Sequence, residues 1–392
     1  METDAAERTA SVSRWWILFL VHFSVIAFAL TLQMIPPLVP QLVARVGLTH
    51  AQAGALMGLF TLPGIFLALP GGRVSDVIGP RRVALWSLAL ISLGTFLMVP
   101  LMPFFLYLGR VCSGIGAGVF IVVTPQIIVR RFAGKELGLA MGIFNTAVPI
   151  GSIVAFNGLG YLAGRFGILV VITATAGFSL AALTAFFLTY ADPPAPAAPE
   201  GGAGEARRLG VGIWLVAIVW TLFNMGVLSY FTYSIDHLTE GGLAATSARF
   251  LGSLPMMLAI VFSPLTGLIL HRTALRWTLP GLGCLVCGAS VLLLLRGSEG
   301  HPLLWSIVLG LGLSLVPPAV FTIAGEVLPP SRMGVGYGLL NTLFNLGVFF
   351  GIPLVGKARD LTLSYGASFS LMAAFLLLGG LLSLISEKLI SK

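Results

Sequence analysis

Gly138-Leu-Ala-Met-Gly142-Ile-Phe-Asn145-Thr146 returns 196 residues later as Gly334-Val-Gly-Tyr-Gly338-Leu-Leu-Asn341-Thr342. At the same offset, without a gap, Gly114 and Gly116 fall on Gly310 and Gly312, and Gly151 falls on Gly347. Chance supplies one such match. Five glycines and an Asn-Thr pair in register mark a duplicated chain, and two similar halves related about an axis along the membrane normal form a transporter architecture, with the site expected at their interface.

The composition says which solvent the duplicated unit faces. Of 392 residues 57% are hydrophobic and 9% charged, with a mean hydropathy of +1.01. A soluble domain carries about 25% charged residues, because its surface must face water. So few charges cannot cover a water-facing surface of this size, so lipid is the main solvent. The net charge of +8 sits in short loops between apolar runs. There it orients helices and does not mark a nucleic-acid partner.

A helix needs about 20 apolar residues to cross the hydrocarbon core. Twelve predicted spans satisfy this: 15–37, 51–70, 82–102, 104–128, 136–160, 167–190, 211–234, 247–270, 278–296, 303–327, 334–356 and 366–387. The expected fold is all-α and polytopic, with two pseudo-symmetric six-helix bundles. Residues 191–209, rich in Pro, Gly and Ala, read as a flexible or extended linker between bundles at 1–190 and 210–392. The acidic start and long first apolar run read as a retained first span rather than a signal peptide.

Orientation follows from the basic residues. With the N-terminus inside, Arg8, Arg14, Arg73, Arg81, Arg82, Arg130, Arg131, Lys135, Arg207, Arg208, Arg272, Arg276, Arg332, Lys388 and Lys392 face the cytoplasm. Arg45, Arg165, Arg249, Arg296, Lys357 and Arg359 face the other side. Both termini are therefore expected in the cytoplasm of a bacterial inner (plasma) membrane protein. Cys112, Cys284 and Cys287 all lie in apolar runs and read as packing, with no disulfide framework, metal site or cofactor implied.

Between the second and third spans runs Gly72-Arg73-Val74-Ser75-Asp76-Val77-Ile78-Gly79-Pro80-Arg81-Arg82. Glycines permit tight turning and close backbone approach, and Asp76 beside Arg81 and Arg82 can form a charge cluster. The stretch resembles the loop signature of the major facilitator superfamily, departing from it at Val77, where a basic residue is common. The resemblance extends over the chain through span count, linker and repeat. It implies a cytoplasmic gate at Gly72, Asp76, Gly79, Arg81 and Arg82 that latches the halves and breaks on inward opening. In the second half Gly267, His271, Ala274 and Arg276 hold the matching places, so the latch is expected to be asymmetric. Gly356-Lys-Ala-Arg-Asp360 followed by Tyr365-Gly-Ala-Ser-Phe369 is similar to the junction of the last two spans in organic-anion and cyanate-type members.

In the fourth span, Arg110 followed by Gly114, Gly116 and Gly118 resembles a further superfamily motif, with Gly310 and Gly312 the packing counterparts in the tenth. A charge within a span is expensive and faces a cavity or a partner. Counted from Phe104, Arg110 lies about 9 Å deep, which leaves a cavity ligand and a snorkelling side chain both open. His22 either donates or carries a proton in the cavity, or faces a neighbouring helix. Arg249 is an anchor or a ligand. Gln33, Asn145, Asn224, Tyr230, Asn341 and Asn345 either line the cavity or bond between helices, an interaction worth about 0.6 kcal/mol on average.

No Asp or Glu lies in the middle of a predicted span, Glu326 coming closest. Such a cavity is neutral to positive and favours a small anion or organic acid, because arginine presents a bidentate fork. In the fifth span Pro149-Ile-Gly151 lacks the denser glycine pattern of the superfamily's antiporter signature. The reading is a secondary transporter working by alternating access, a symporter or antiporter acting as a monomer, with a small-molecule cargo and a proton or other ion as candidate coupling partner. Export of neutral or lipophilic compounds stays open, as does a non-transporting receptor or scaffold. No P-loop and no enzymatic domain is present in the sequence.

Overall fold

Residues 14–132, 140, 143–190, 210–272, 276–296, 301–327 and 333–390 are described by the computed structural model, with no strand among them. The predicted linker 191–209 lies outside these residues, as do Gly138, Gly142, Arg8, Lys135, Arg207, Arg208, Arg332 and Lys392. Ten helical stretches are long and apolar enough to cross a bilayer, and Thr278–Leu294 is a shorter apolar one. With Pro80–Leu97 they make the twelve spans of a multi-pass membrane protein.

Helix ends fall where the residues dictate. α1 (Arg14–Gln33) stops ahead of Pro36 and Pro37, which start a 3-10 turn. α2 (Val39–Val46) ends on Gly47 at φ 75°, left-handed backbone that suits glycine. Thr49 and Gln52 then exchange side-chain and backbone hydrogen bonds of 2.9 and 3.1 Å. This capping box opens α3 (His50–Ile78). α3 ends at Gly79, φ 90°, and Pro80 starts α4 (Pro80–Leu97). α5 (Pro103–Arg131) is the fourth span. The fifth is α6 (Ala147–Val154), a π turn at Ala155–Leu159, and α7 (Gly160–Phe166). α8 (Ile168–Thr189) closes the first half. The second comprises α9 (Val211–Glu240), α10 (Ala245–Arg272), α11 (Thr278–Leu294), α12 (Pro302–Val327), α13 (Met333–Thr362) and α14 (Tyr365–Ile390).

Two compact units emerge. The first holds Met1–Met34, Leu59–Ala155 and Phe166–Ala206; the second holds Ile35–Gly58, Phe156–Arg165 and Arg207–Lys392. Their boundaries fall next to the Pro36 turn, at Gly58 and inside the π turn.

Inside each unit the repeat is visible as matching contacts. In lipid, apolar burial gives helices little reason to associate, so small residues that let backbones approach carry the packing. A Cβ on Gly116 would strike the Ser87 carbonyl and crowd Leu90 and Ile91; one on Gly312 would crowd Gly283, Val286 and Cys287. Each of these partners is displaced by 196. Gly114 lies on Phe60 of α3, and Gly310 lies on Pro255 and Leu258 of α10. Gly151 lies on Ile26 and Ala29, Gly347 on Thr221 and Met225. Gly118, by contrast, meets the Gly64 backbone. Cys284 and Cys287 are free and buried.

Candidate functional site

In the first unit Arg110 is fully buried. Its guanidinium donates to the carbonyls of Thr31 (2.6 Å) and Leu32 (3.3 Å) and lies 4.4 Å over the Phe60 ring. Those carbonyls belong to the last turn of α1, where the helix dipole favours a cation. Thr31 Oγ1 in turn lies 3.3 Å from Ser179 Oγ of α8. Arg110 therefore ties the end of α1 to α5 rather than snorkelling. On α1 itself, His22 faces the Ile143 backbone. His22 Nδ1 and Gln33 Oε1 are buried without a hydrogen-bond partner among the described residues. Asn145 is exposed.

The gate motif is only partly in view. The backbone of Gly72 and Asp76 is helical, and the Asp76 side chain lies outside the described residues. Gly79 has the positive φ expected of a turn glycine. Arg81 donates to the Phe187 carbonyl (3.0 Å), Arg82 is exposed, and Ser75 donates to Gln126 (3.0 Å).

In the second unit Asn224 and Asn345 donate to carbonyls one turn back on their own helices, Trp220 (2.7 Å) and Asn341 (2.9 Å). Asn341 is half-buried. The hydroxyls of Tyr230, Ser234 and Ser306 face one another in the core, none with a hydrogen bond of ordinary geometry. Arg249 is 8% exposed, and its stem lies against Gly160, with Gly164 at 3.9 Å from Nη1. It has no hydrogen bond or ion pair among the described residues. One turn further along α10, Ser253 accepts from Asn157 of the π turn at 2.8 Å.

The densest polar cluster contains none of the candidate cavity residues, although Asp360 and Tyr365 belong to the junction of the last two spans quoted from the sequence. His50 Nδ1 lies 2.9 Å from Asp360 Oδ1, and His50 Nε2 lies 3.1 Å from Asp236 Oδ2. Asp360 also accepts the first backbone N–H groups of α3, from His50 (2.9 Å) and Ala51 (2.8 Å). Tyr365 donates to Asp236, and Tyr233 OH sits 2.9 Å from the His50 carbonyl and 3.1 Å from that of Ile352. Glycine at 54 and 356 admits that hydroxyl, since a Cβ at either would collide with it. Asp236 is 6% exposed. The spans predicted to end at 234 and 356 thus run on to Glu240 and Thr362. No Asp or Glu lies in the middle of a predicted span, but because α9 runs past 234 a buried carboxylate, Asp236, is present near its end with a histidine against it. The signals available in sequence were the Thr49–Gln52 box and the Gly356–Asp360 and Tyr365 junction.

Twelve spans in duplicated halves, small-residue helix contacts in register and a few buried charged groups define a secondary transporter of small molecules, a class distinct from enzymes. The sequence profile described as Major Facilitator Superfamily matches residues 21–352, and the chain belongs to that superfamily. It is 25% identical over 350 residues to the lysosomal dipeptide transporter MFSD1 of Danio rerio, covering 82% of this chain and 75% of that protein. Against the human counterpart identity is 25% over 64% of this chain and 58% of the relative. Monocarboxylate transporter 13 of Bos taurus is 26% identical, covering 79% and 74%. Among solved structures, a bacterial homologue of the lysosomal transporter Spinster, inward-facing and occupied, superposes with a TM-score of 0.81 at 16% identity, covering 96% of this chain and 97% of that one.

Proposed function

We propose that the chain carries a small solute bearing a carboxylate, by alternating access, and that Arg249 receives the carboxylate. The observation that carries this is Arg249 of α10, a residue 8% exposed whose guanidinium has no hydrogen bond or ion pair among the described residues. A buried cation is costly without a counter-charge, and a carboxylate complements the guanidinium fork with two parallel bonds. The Asn157–Ser253 pair one turn away adds neutral polar groups beside it. A dipeptide and a monocarboxylate, the cargoes in the names of two relatives, share that one chemical group. Arg110 is the second candidate cation, its donors directed at the α1 carbonyls. The six-helix halves 1–190 and 210–392 are the proposed moving parts of a monomer, with both termini in the cytoplasm of an inner membrane.

Thermal shift of the purified protein tests the reading. Short monocarboxylates and dipeptides should raise the melting temperature, by mass action worth about 2.7 kcal/mol at a hundredfold excess over Kd. The matching amides and alcohols should not. Arg249→Gln should abolish the carboxylate response, and Arg249→Lys should retain part of it. Equal stabilisation by the neutral analogues, or an undiminished response in Arg249→Gln, would move the cargo to the neutral class.

A further inference from the structure

His50 opens α3 at the end opposite the Asp76 motif, and both nitrogens of its ring face carboxylate oxygens. A neutral imidazole has one donor and one acceptor. It satisfies one carboxylate and turns a lone pair toward the other. The imidazolium donates to both. We infer that His50 is a proton-binding site of this transporter, and that the bound proton fastens the start of α3 to Asp236 of α9 and Asp360 of α13.

The surrounding groups fit a proton better than a metal ion. From α9 come Tyr233, Asp236 and Glu240; from α13, Arg359 and Asp360; from α14, Tyr365. Glu240 is paired with Arg359 at 2.9 Å, and Arg359 lies 5.0 Å over the Tyr365 ring. His237 stacks at 4.4 Å on Phe369 and points Nε2 at the Leu294 carbonyl, 3.2 Å away. Ligand atoms of His50, Asp236 and Glu240 do lie within 4.8 Å of one another. Yet Glu240 is held by Arg359, and Asp236 is shared by Tyr365 and His50. With His50 protonated, three carboxylates face two cations; without that proton they face one. A cleft of about 460 Å³ lined by His237, Glu240, Ser364 and Tyr365 brings solvent up to Tyr365, whose hydroxyl touches Asp236.

The same bonds build a mechanical fastening. Asp360 holds the first two N–H groups of α3 whatever the state of the ring, so the proton decides whether the ring bonds both carboxylates or one. Below the titration of His50 the fastening is complete. As pH rises through that range one of the two ring links loses its donor and the α3 end loosens. Histidine is the side chain whose ordinary charge change falls within the pH range a membrane transporter meets. The inference rests on the transporter reading but needs no knowledge of the cargo.

Hydrogen exchange of the full chain in nanodiscs, after chelator treatment, reads the fastening directly. After correction for intrinsic exchange rates, amides of residues 50–56 should exchange roughly tenfold faster or more at about pH 8 than at about pH 5.5, the size of one charge-assisted bond. His50→Gln should abolish this pH dependence. In ¹⁵N-histidine spectra, the ring signal missing from His50→Gln should be an imidazolium at the lower pH and neutral at the higher. A ring neutral at both values, or protection indifferent to pH in the unaltered chain, overturns the inference. So does added Zn²⁺ restoring protection at the higher pH in the unaltered chain but not in His50→Gln, which would make the cluster a metal site. None of these outcomes involves Arg249, so they leave carboxylate transport standing, and a failed carboxylate screen leaves them standing in turn.

Discussion

Arg110 of the first unit and Ser306 of the second occupy the same place in the repeat, 196 residues apart, on helices packed through the same glycines. Around Arg110 the carbonyls of Thr31 and Leu32 accept two hydrogen bonds and the Phe60 ring lies under the guanidinium. Around Ser306 are two more hydroxyls, Tyr230 and Ser234, with no bond of ordinary geometry between them. The duplicated scaffold keeps its small-residue contacts because helix packing in lipid depends on them. The side chains between those contacts diverge. The first unit concentrates a cation on a helix end, whereas the second places Arg249, without a partner among the described residues, on α10 and the His50 cluster at the end of α9.

The comparison breaks hardest at Arg110. Arg110→Ser gives the first unit the residue of the second, and removes the cation from two α1 carbonyls and a ring face. The expected loss is about 3–5 kcal/mol, two hydrogen bonds from a charged donor at about 1.5–3 kcal/mol each, read as unfolding of purified protein in detergent. Arg110→Lys should recover part of it, since an ammonium reaches one carbonyl without the fork. Stability within error of the unaltered chain in Arg110→Ser would mean that the α1 contact carries no load and that Arg110 is kept for cargo alone.

The paired glycines sharpen the comparison at a smaller scale. At Gly116 an added Cβ drives into the Ser87 carbonyl, fixed backbone of α4. At Gly312 the nearest atoms are Cys287 Sγ, Val286 Cγ1 and the Gly283 carbonyl, all 3.0 Å away, and the two side chains can give. Gly116→Ala should cost about 2–3 kcal/mol and Gly312→Ala about 1 kcal/mol, within the range for overpacking. Equal costs would show that the repeat is uniform in rigidity as well as in geometry.

What the sequence revealed, and what it hid, follows the same division. Helix count, duplication and the gate-loop turn at Gly79 rest on local composition or on a fixed offset, and all can be read along the chain, whereas Arg110 was legible only as a charge within a span. Asp236 and Asp360 cannot. Each lies just past an apolar run, where hydropathy ends a span. Each is helical and bonded to His50, 186 and 310 residues away. The π turn at Ala155–Leu159, which puts Asn157 against Ser253, has no composition of its own to announce it. Arg249 was visible as a charge, but its lack of a partner appears only once Gly160 is seen against its stem.

The smallest effect bears most directly on how the second unit spends its polar groups. Ser306 Oγ is buried and makes no hydrogen bond among the described residues, and the same holds for the Tyr230 hydroxyl. A buried hydroxyl without a partner carries a desolvation cost and returns nothing for it. Ser306→Ala should therefore change stability by no more than about 0.5 kcal/mol, with the sign toward stabilisation. Tyr230→Phe should behave alike, and the double variant should be additive if neither hydroxyl serves the other. A loss above about 1 kcal/mol in either single variant, with non-additivity in the double, would show that Tyr230, Ser234 and Ser306 form a working hydrogen-bond network. The second unit would then hold its core together with neutral groups at the register where the first uses a cation, and the difference between the halves would be one of chemistry rather than of loss.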